Sequence, residues 1–222
     1  RLILKKIINM SDEFYTRENE SYKLATSIAS ENKEKVKLKI DDAWNLNINS
    51  FDNKDIESIL NSQMKKIGIS IRPWDKEEEF FNYFMDFSKC ALSKGYMLVF
   101  VPIAFGGEES YIDNAFIKKE LIGMDNVYFI EDYVNLSSIY PENVKWIVSK
   151  LDYCLGLSYH FNVFANSLSK HTIGLYSDPY YYIKNKGFYD LIQLPDNLVS
   201  IHDVKPEELL DKLLSCKTTD NP

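Results

Sequence analysis

A chain of 222 residues, 45% hydrophobic and 27% charged, can bury a sizeable core, which excludes a disordered tail and fits one full domain plus part of another, or two small ones. Its net charge of -7, with no basic run longer than a few residues, excludes the clustered cationic surface that a nucleic-acid binder needs. No run of about 18 apolar residues appears, so no transmembrane span is expected, and three cysteines without a CxxC spacing argue against a disulfide framework or zinc site and for a reducing, cytoplasmic setting.

The chain opens at Arg1 with neither a methionine nor a signal-peptide pattern. Leu2, Leu4, Ile7 and Ile8 fall at helical spacing and read as the closing helix of something longer, so a piece of a larger protein is expected. Glu13 to Thr16 is strand-like, Asn19 or Ser21 can cap a helix carrying Tyr22, Leu24, Ala25 and Ile28, and Val36 to Ile40 alternates as a strand does. Asp41 to Ser62 is polar and rich in Asn and Asp, a connector. The expected division is therefore 1–60 and 61–222.

From Lys65 the rhythm becomes regular. Ile67 to Ile71 is a compact apolar strand ending in Arg72, Pro73 and Trp74. Asp75 with Glu78 then resembles a capping box for a helix reaching Ser93, closed by Gly95. Tyr96 to Val101 is the next strand, stopped by Pro102. A loop with Gly106 and Gly107 leads to a helix over Tyr111 to Ile122, and Val127 to Ile130 is a third strand.

Pro141 opens a short helix, as proline does at the first helical position, and Tyr153 to Leu157 is a fourth strand. Phe161, Phe164, Ala165 and Leu168 recur at i, i+3, i+4 and i+7, a stripe lying on a sheet. Thr172 to Tyr176 and Leu198 to Ile201 give the fifth and sixth strands, and Pro206 to Leu214 a final helix. Strands alternating with helices predict an α/β fold, a parallel sheet with helices on both faces, and ligand binding outside the carboxyl ends of the strands. Arg72, Pro102, Ser158, His160 and Ser177 fall there.

His160 stands where the fourth strand hands over to its helix. A helix N-terminus offers N–H groups and the positive end of a dipole, so an anion can bind beside it; an empty site favours neutral imidazole and a bound anion imidazolium. Equally, a loop histidine can merely cap its helix. Arg72, at a strand tip before a proline, suits a carboxylate or phosphate, or else stacks on Trp74. Tyr180, Tyr181, Tyr182, Lys184 and Lys186 can hold a sugar by stacking and hydrogen bonding or an anion through the lysines, and equally read as a half-buried turn. Glu108, Glu109 and Asp113 can act as a base or bind hydroxyls, although a charged loop is usually solvated. No GxGxxG, GxxxxGK[ST], GxSxG or HExxH pattern occurs, which removes the sequence support for dinucleotide, P-loop, serine-hydrolase and zinc-hydrolase chemistry; no metal site is expected.

Thr16 to Tyr22 is similar to an "RDxxS" stretch, and Leu155 to Ala165 to a "GxRxHxxxFA" stretch, of the polysaccharide pyruvyl transferases. With Gly68 to Trp74 and the tyrosine-rich Asp178 to Gly187, the chain from Phe14 to Asp203 resembles that family. The resemblance implies a glycosyltransferase-B-like architecture of two Rossmann-like domains, of which 61–222 is the carboxyl-terminal one and 1–60 the end of the first with its connector. It implies transfer of the enolpyruvyl group of phosphoenolpyruvate, as donor substrate without further cofactor, to two hydroxyls of a sugar or lipid-linked glycan, with peripheral association of the protein with a membrane-bound acceptor. The family's donor-binding arginines and histidine fall on Arg72, Ser158 and His160, with Tyr159, Tyr181 and Lys184 lining the same place; His160 and Arg72 are the expected catalytic pair. Serine at 158 departs from the family's arginine and offers a neutral hydroxyl where a charge-assisted bond to the donor is expected; Lys184, Lys186 or Arg17 are the candidate replacements. A nucleotide-sugar glycosyltransferase of the same architecture, or a degenerate glycan-binding member, is the alternative.

Overall fold

The structure, a computed structural model, describes residues 1–50, 52–72, 77–104 and 113–220, without the side chains of Glu77 and Glu79. Trp74, Asp75, the glycines at 106 and 107, and Glu108 and Glu109, to which the sequence assigned stacking, capping, loop and acid roles, lie outside these residues.

Six parallel strands form the main sheet: β3 (Lys66–Ser70), β4 (Met97–Phe100), β5 (Val127–Phe129), β6 (Tyr153–Gly156), β7 (His171–Tyr176) and β8 (Leu198–Ser200). Their spatial order is β5-β4-β3-β6-β7-β8. The chain therefore moves outward from β3 to β5, returns to the centre, and moves outward the other way from β6. The reversal lies between β3 and β6, where Ser70 pairs with Gly156. In open α/β sheets the loops diverge at such a point and leave a crevice.

Alternation along the strands supplies two cores. On one face Ile67, Ile69, Leu98, Phe100, Leu155 and Ile173 pack with Phe80, Phe84 and Phe87 of α4 (Glu77–Ser93), with Ile117 and Leu121 of α5 (Ala115–Leu121), and with leucines of α9 (Pro206–Ser215). On the other, Met97, Val99 and Cys154 meet α3 (Lys54–Leu60), α6 (Pro141–Ser149) and α7 (Tyr159–Ser167). Helices thus cover both faces, as an all-parallel sheet requires. Gly95, at φ 82, ends the turn after α4 in the left-handed region, as the sequence predicts.

The amino-terminal part is separate in its core. After α1 (Leu2–Met10), β1 (Phe14–Thr16) and β2 (Val36–Leu38) pair parallel across α2 (Asn19–Ala29), and Ile8, Ala25, Ala29 and Val36 pack together. Two local expectations are corrected. The cap of α2 is Glu18, whose carboxylate accepts the N–H groups of Glu20 and Ser21 at 2.7 Å each, rather than Asn19 or Ser21. The polar connector contains α3, whose Ile56, Ile59 and Leu60 are buried against the sheet.

The tyrosine-rich stretch is also corrected, from a half-buried turn to the thirteen-residue helix α8 (Pro179–Leu191). Asp178 accepts the Tyr181 N–H at 2.9 Å and Pro179 takes the first helical position. The face it buries carries Asn185 and Gly187 beside Phe188 and Tyr189, so its stripe is partly polar.

Candidate active site

At the carboxyl edge of the sheet a cavity of about 160 Å³ opens at the crossover between β3 and β6. Arg72 from the end of β3, Ala104 and Asp113 from the stretch after β4, Ser158, Tyr159 and His160 from the start of α7, and Tyr181 and Lys184 from α8 all line it. Seven of these eight, all but Ala104, are candidates the sequence offers, Asp113 as a base or hydroxyl ligand and the other six as catalytic or substrate-binding residues. Elements far apart in the chain bring them together.

The approach of α7 to the sheet depends on Gly156. A Cβ there would lie 2.7 Å from Asn162 Oδ1 and 2.7 Å from Phe161 Cδ1, inside any real contact. With no side chain in the way, the first turn of α7 settles directly over the tip of β6, and His160 arrives at the cavity. Among the described residues no side chain caps that helix: Ser158 occupies the cap position but donates its hydroxyl to Asp113 Oδ2 at 2.9 Å instead. The dipole of α7 thus opens onto the cavity without a local acceptor from its cap.

Asp113 is the acid at the centre. It is fully buried, contrary to the solvated loop carboxylate expected from sequence. Its Oδ2 also accepts the Ile103 and Ala104 N–H groups at 3.0 and 3.1 Å and faces the Ser70 hydroxyl at 3.4 Å, and its Oδ1 lies 2.9 Å from Arg72 Nε. Arg72, 23% exposed, also donates to the Ala104 carbonyl at 3.3 Å.

His160 is solvent-exposed, yet partial burial of its ring lowers its pKa below 6.5; Asp41 opposes the shift, and Arg17 and Lys184 add to it. Those neighbours form a cationic wall. Arg17 lies 4.5 Å over the Tyr159 ring and pairs with Asp41 at 2.8 Å, and Lys184 stands 5.8 Å from the same ring. Burial alone would raise Asp41, but the Ala43 N–H, the Arg17 guanidinium and the His160 charge outweigh it and hold the carboxyl below its ordinary 3.8. Burial lowers Lys184, with Arg17 adding, and raises Tyr181 to about 12, with Asp178 adding.

The family profile described as polysaccharide pyruvyl transferase matches residues 1–179. The chain belongs to the polysaccharide pyruvyl transferase family. No curated protein matches it. Among solved structures it is similar to the Methanocaldococcus jannaschii UDP-GlcNAc 2-epimerase in complex with UDP-GlcNAc and UDP (TM-score 0.61, 16% identity, 96% of this chain and 57% of that one). It is also similar to S. aureus MnaA with UDP (0.57, 14%, 94% and 52%) and to E. coli ADP-heptose LPS heptosyltransferase II (0.51, 12%, 96% and 78%). At such identities the likeness shows the fold, which is glycosyltransferase-B-like. The chain spans little more than half the length of the first two of these structures.

In this member of the family the departure at Ser158 has a structural sequel. Of the three proposed replacements for the missing arginine, Lys184 lines the cavity and Arg17 stands behind Tyr159, while Lys186 is corrected: it pairs with Asp190 one turn along α8 and is not among the cavity residues. The other two histidines are structural. His171 Nδ1 meets the Cys216 carbonyl at 2.8 Å and His202 Nε2 the Ser177 carbonyl at 2.9 Å. Among the described residues no three His, Cys, Asp or Glu side chains gather as a metal site. What sequence reasoning missed is the centrality of Asp113 and the approach of Asp41. The aspartate at 113 had a weak local signal, since it directly precedes Asn114 in the left-handed region (φ 72) at the head of α5.

Proposed function

We propose that this cavity holds phosphoenolpyruvate, and that the protein transfers its three-carbon unit to two hydroxyls of a sugar in a cell-surface polysaccharide precursor, forming a pyruvate ketal. The observation that carries the reading is that Arg72, His160 and Lys184, which are distant in sequence, line one small cavity at the sheet's crossover in a chain of this family. A small dicharged anion needs such converging donors, because each charge-assisted hydrogen bond contributes roughly 1.5–3 kcal/mol.

In this reading Arg72 and Lys184 hold the carboxylate and phosphate. The donor's negative charge raises the His160 pKa, so binding loads the proton that the chemistry uses. The imidazolium gives that proton to the methylene carbon, making a methyl group and an oxocarbenium centre at the adjacent carbon. A sugar hydroxyl oxygen adds there and its proton returns to His160. The bond to phosphate then breaks, inorganic phosphate leaves with its electron pair, and the second hydroxyl adds, its proton passing to phosphate. Two hydroxyls and one donor thus become one ketal and one phosphate, with no redox change and no further cofactor. We take the setting to be the cytoplasm, with a lipid-linked acceptor met at the membrane surface; no helix among the described residues is long and apolar enough to cross a membrane.

The second reading, a nucleotide-sugar glycosyltransferase, is favoured by the fold neighbours solved with UDP and UDP-GlcNAc. Incubation with phosphoenolpyruvate and a panel of nitrophenyl and lipid-linked sugars tests the choice, read by phosphate release and by the ketal methyl signal. Turnover, with thermal stabilisation by phosphoenolpyruvate and not by UDP or GDP sugars, is expected. Stabilisation by a nucleotide sugar alone would favour the second reading, and binding of glycan without turnover a degenerate member.

A further inference from the structure

The proposed mechanism gives no task to the most heavily bonded acid at the site. We propose that Asp113 is the positioning residue of the donor pocket, setting the place of Arg72 and, through Ser158, the start of α7; this rests on the reading of the cavity as the phosphoenolpyruvate site.

One carboxylate joins the loops that follow three different strands. Its Oδ1 pairs with Arg72 at the end of β3, and its Oδ2 takes the Ile103 and Ala104 N–H groups after β4 and the Ser158 hydroxyl after β6. Bonds from the Leu157 and Ser158 N–H groups to the Ser70 carbonyl, and from the Arg72 guanidinium to the Ala104 carbonyl, tie these loops in pairs, and among the described residues the Asp113 carboxylate is the one side chain seen to touch all three. Asp113 is itself fixed from behind. The next residue, Asn114, donates its N–H to the Ile71 carbonyl at 2.8 Å and accepts the Ile71 N–H on its side-chain oxygen at 2.9 Å, pinning the segment beside Arg72 on both backbone groups of one residue.

A buried carboxylate is stable only with compensating charge and donors, and here the charge comes from Arg72. The dependence runs both ways: the acid needs the guanidinium, and the guanidinium is aimed by the acid. The neutral isostere asparagine cannot substitute, since its amide would turn donors either on the Ile103 and Ala104 N–H groups or on Arg72.

The test is a double-mutant cycle of Asp113→Asn and Arg72→Ala, read by calorimetric titration with phosphoenolpyruvate, together with a crystal structure of the Asp113→Asn protein. If Asp113 acts through Arg72, Asp113→Asn weakens donor binding roughly 10-fold or more in the unaltered protein but less than about 3-fold when Arg72 is already alanine. In the crystal the Arg72 guanidinium leaves its place. Equal weakening in both backgrounds, or no weakening in either, overturns the proposal, as does an undisplaced Arg72. Should the asparagine variant not fold, Asp113→Glu keeps the charge and moves it by one methylene; it is expected to displace Arg72 and weaken the donor, and normal binding would overturn the proposal. If the unaltered protein binds no phosphoenolpyruvate, the functional reading fails, and the crystallographic arm still decides the role of Asp113.

Discussion

Among single residues, His160 carries the proton that the proposed reaction needs. Burial and the cations Arg17 and Lys184 favour the neutral ring, and Asp41 opposes them without reversing the shift. In the empty protein the imidazole is therefore expected to titrate below 6.5, and saturating phosphoenolpyruvate to move its midpoint upward, because an anion among the same cations cancels their repulsion of the proton. Histidine ring signals followed by NMR across pH 4.5 to 8, with His160→Gln for assignment, check both signs; a downward or absent shift with donor bound would remove His160 as the acid. Lys184 is the second test at this scale. Replacing it by methionine keeps an unbranched apolar side chain and removes the charge that stands beside the Tyr159 ring, and donor affinity should fall roughly 10-fold with little change in melting temperature. His160 and Arg72 were legible because each sits at a helix start or strand tip, positions the alternation of elements fixes, and Lys184 because it stands in the aromatic and basic run after the fifth strand. Asp113 was not, because its role exists only where three loops from distant parts of the chain converge.

Elements carry the geometry. The first turn of α7 reaches the cavity because Gly156 leaves room for Phe161 and Asn162. Gly156→Ala forces one of these back and is expected to cost roughly 1–3 kcal/mol, seen as a fall of several degrees in melting temperature; donor binding should weaken with it, since His160 rides on the displaced turn. An unchanged melting curve would show that the helix has slack the packing does not display. The main-sheet strands were readable from short apolar runs bounded by turns, and α4, α6, α7 and α9 from their stripes and caps. Helix α8 was not, although Asp178 and Pro179 announce its start. Its buried face mixes Asn185 and Gly187 with aromatics, so the apolar count along it shows no clear period. Helix α3 hid in a polar stretch because seven residues hold too few turns for a stripe.

For the molecule as a whole, the alternation of strands and helices implied a parallel sheet, but not the order of its strands. Two runs of three strands can be laid down in several ways, and only long-range pairing of β3 with both β4 and β6 selects the one that puts Arg72 and His160 at a common crevice. The amino-terminal strands pair with each other and keep a core of their own, while Arg17 and Asp41 reach across to Tyr159 and His160. The site is thus built mainly by the six-stranded sheet and screened on one side by the amino-terminal part. The most direct test is a crystal structure of the protein with phosphoenolpyruvate. The donor should lie in the cavity with its acidic groups on Arg72 and Lys184 and its methylene carbon toward the His160 ring; donor bound elsewhere, or a cavity that takes UDP and refuses phosphoenolpyruvate, would contradict the account.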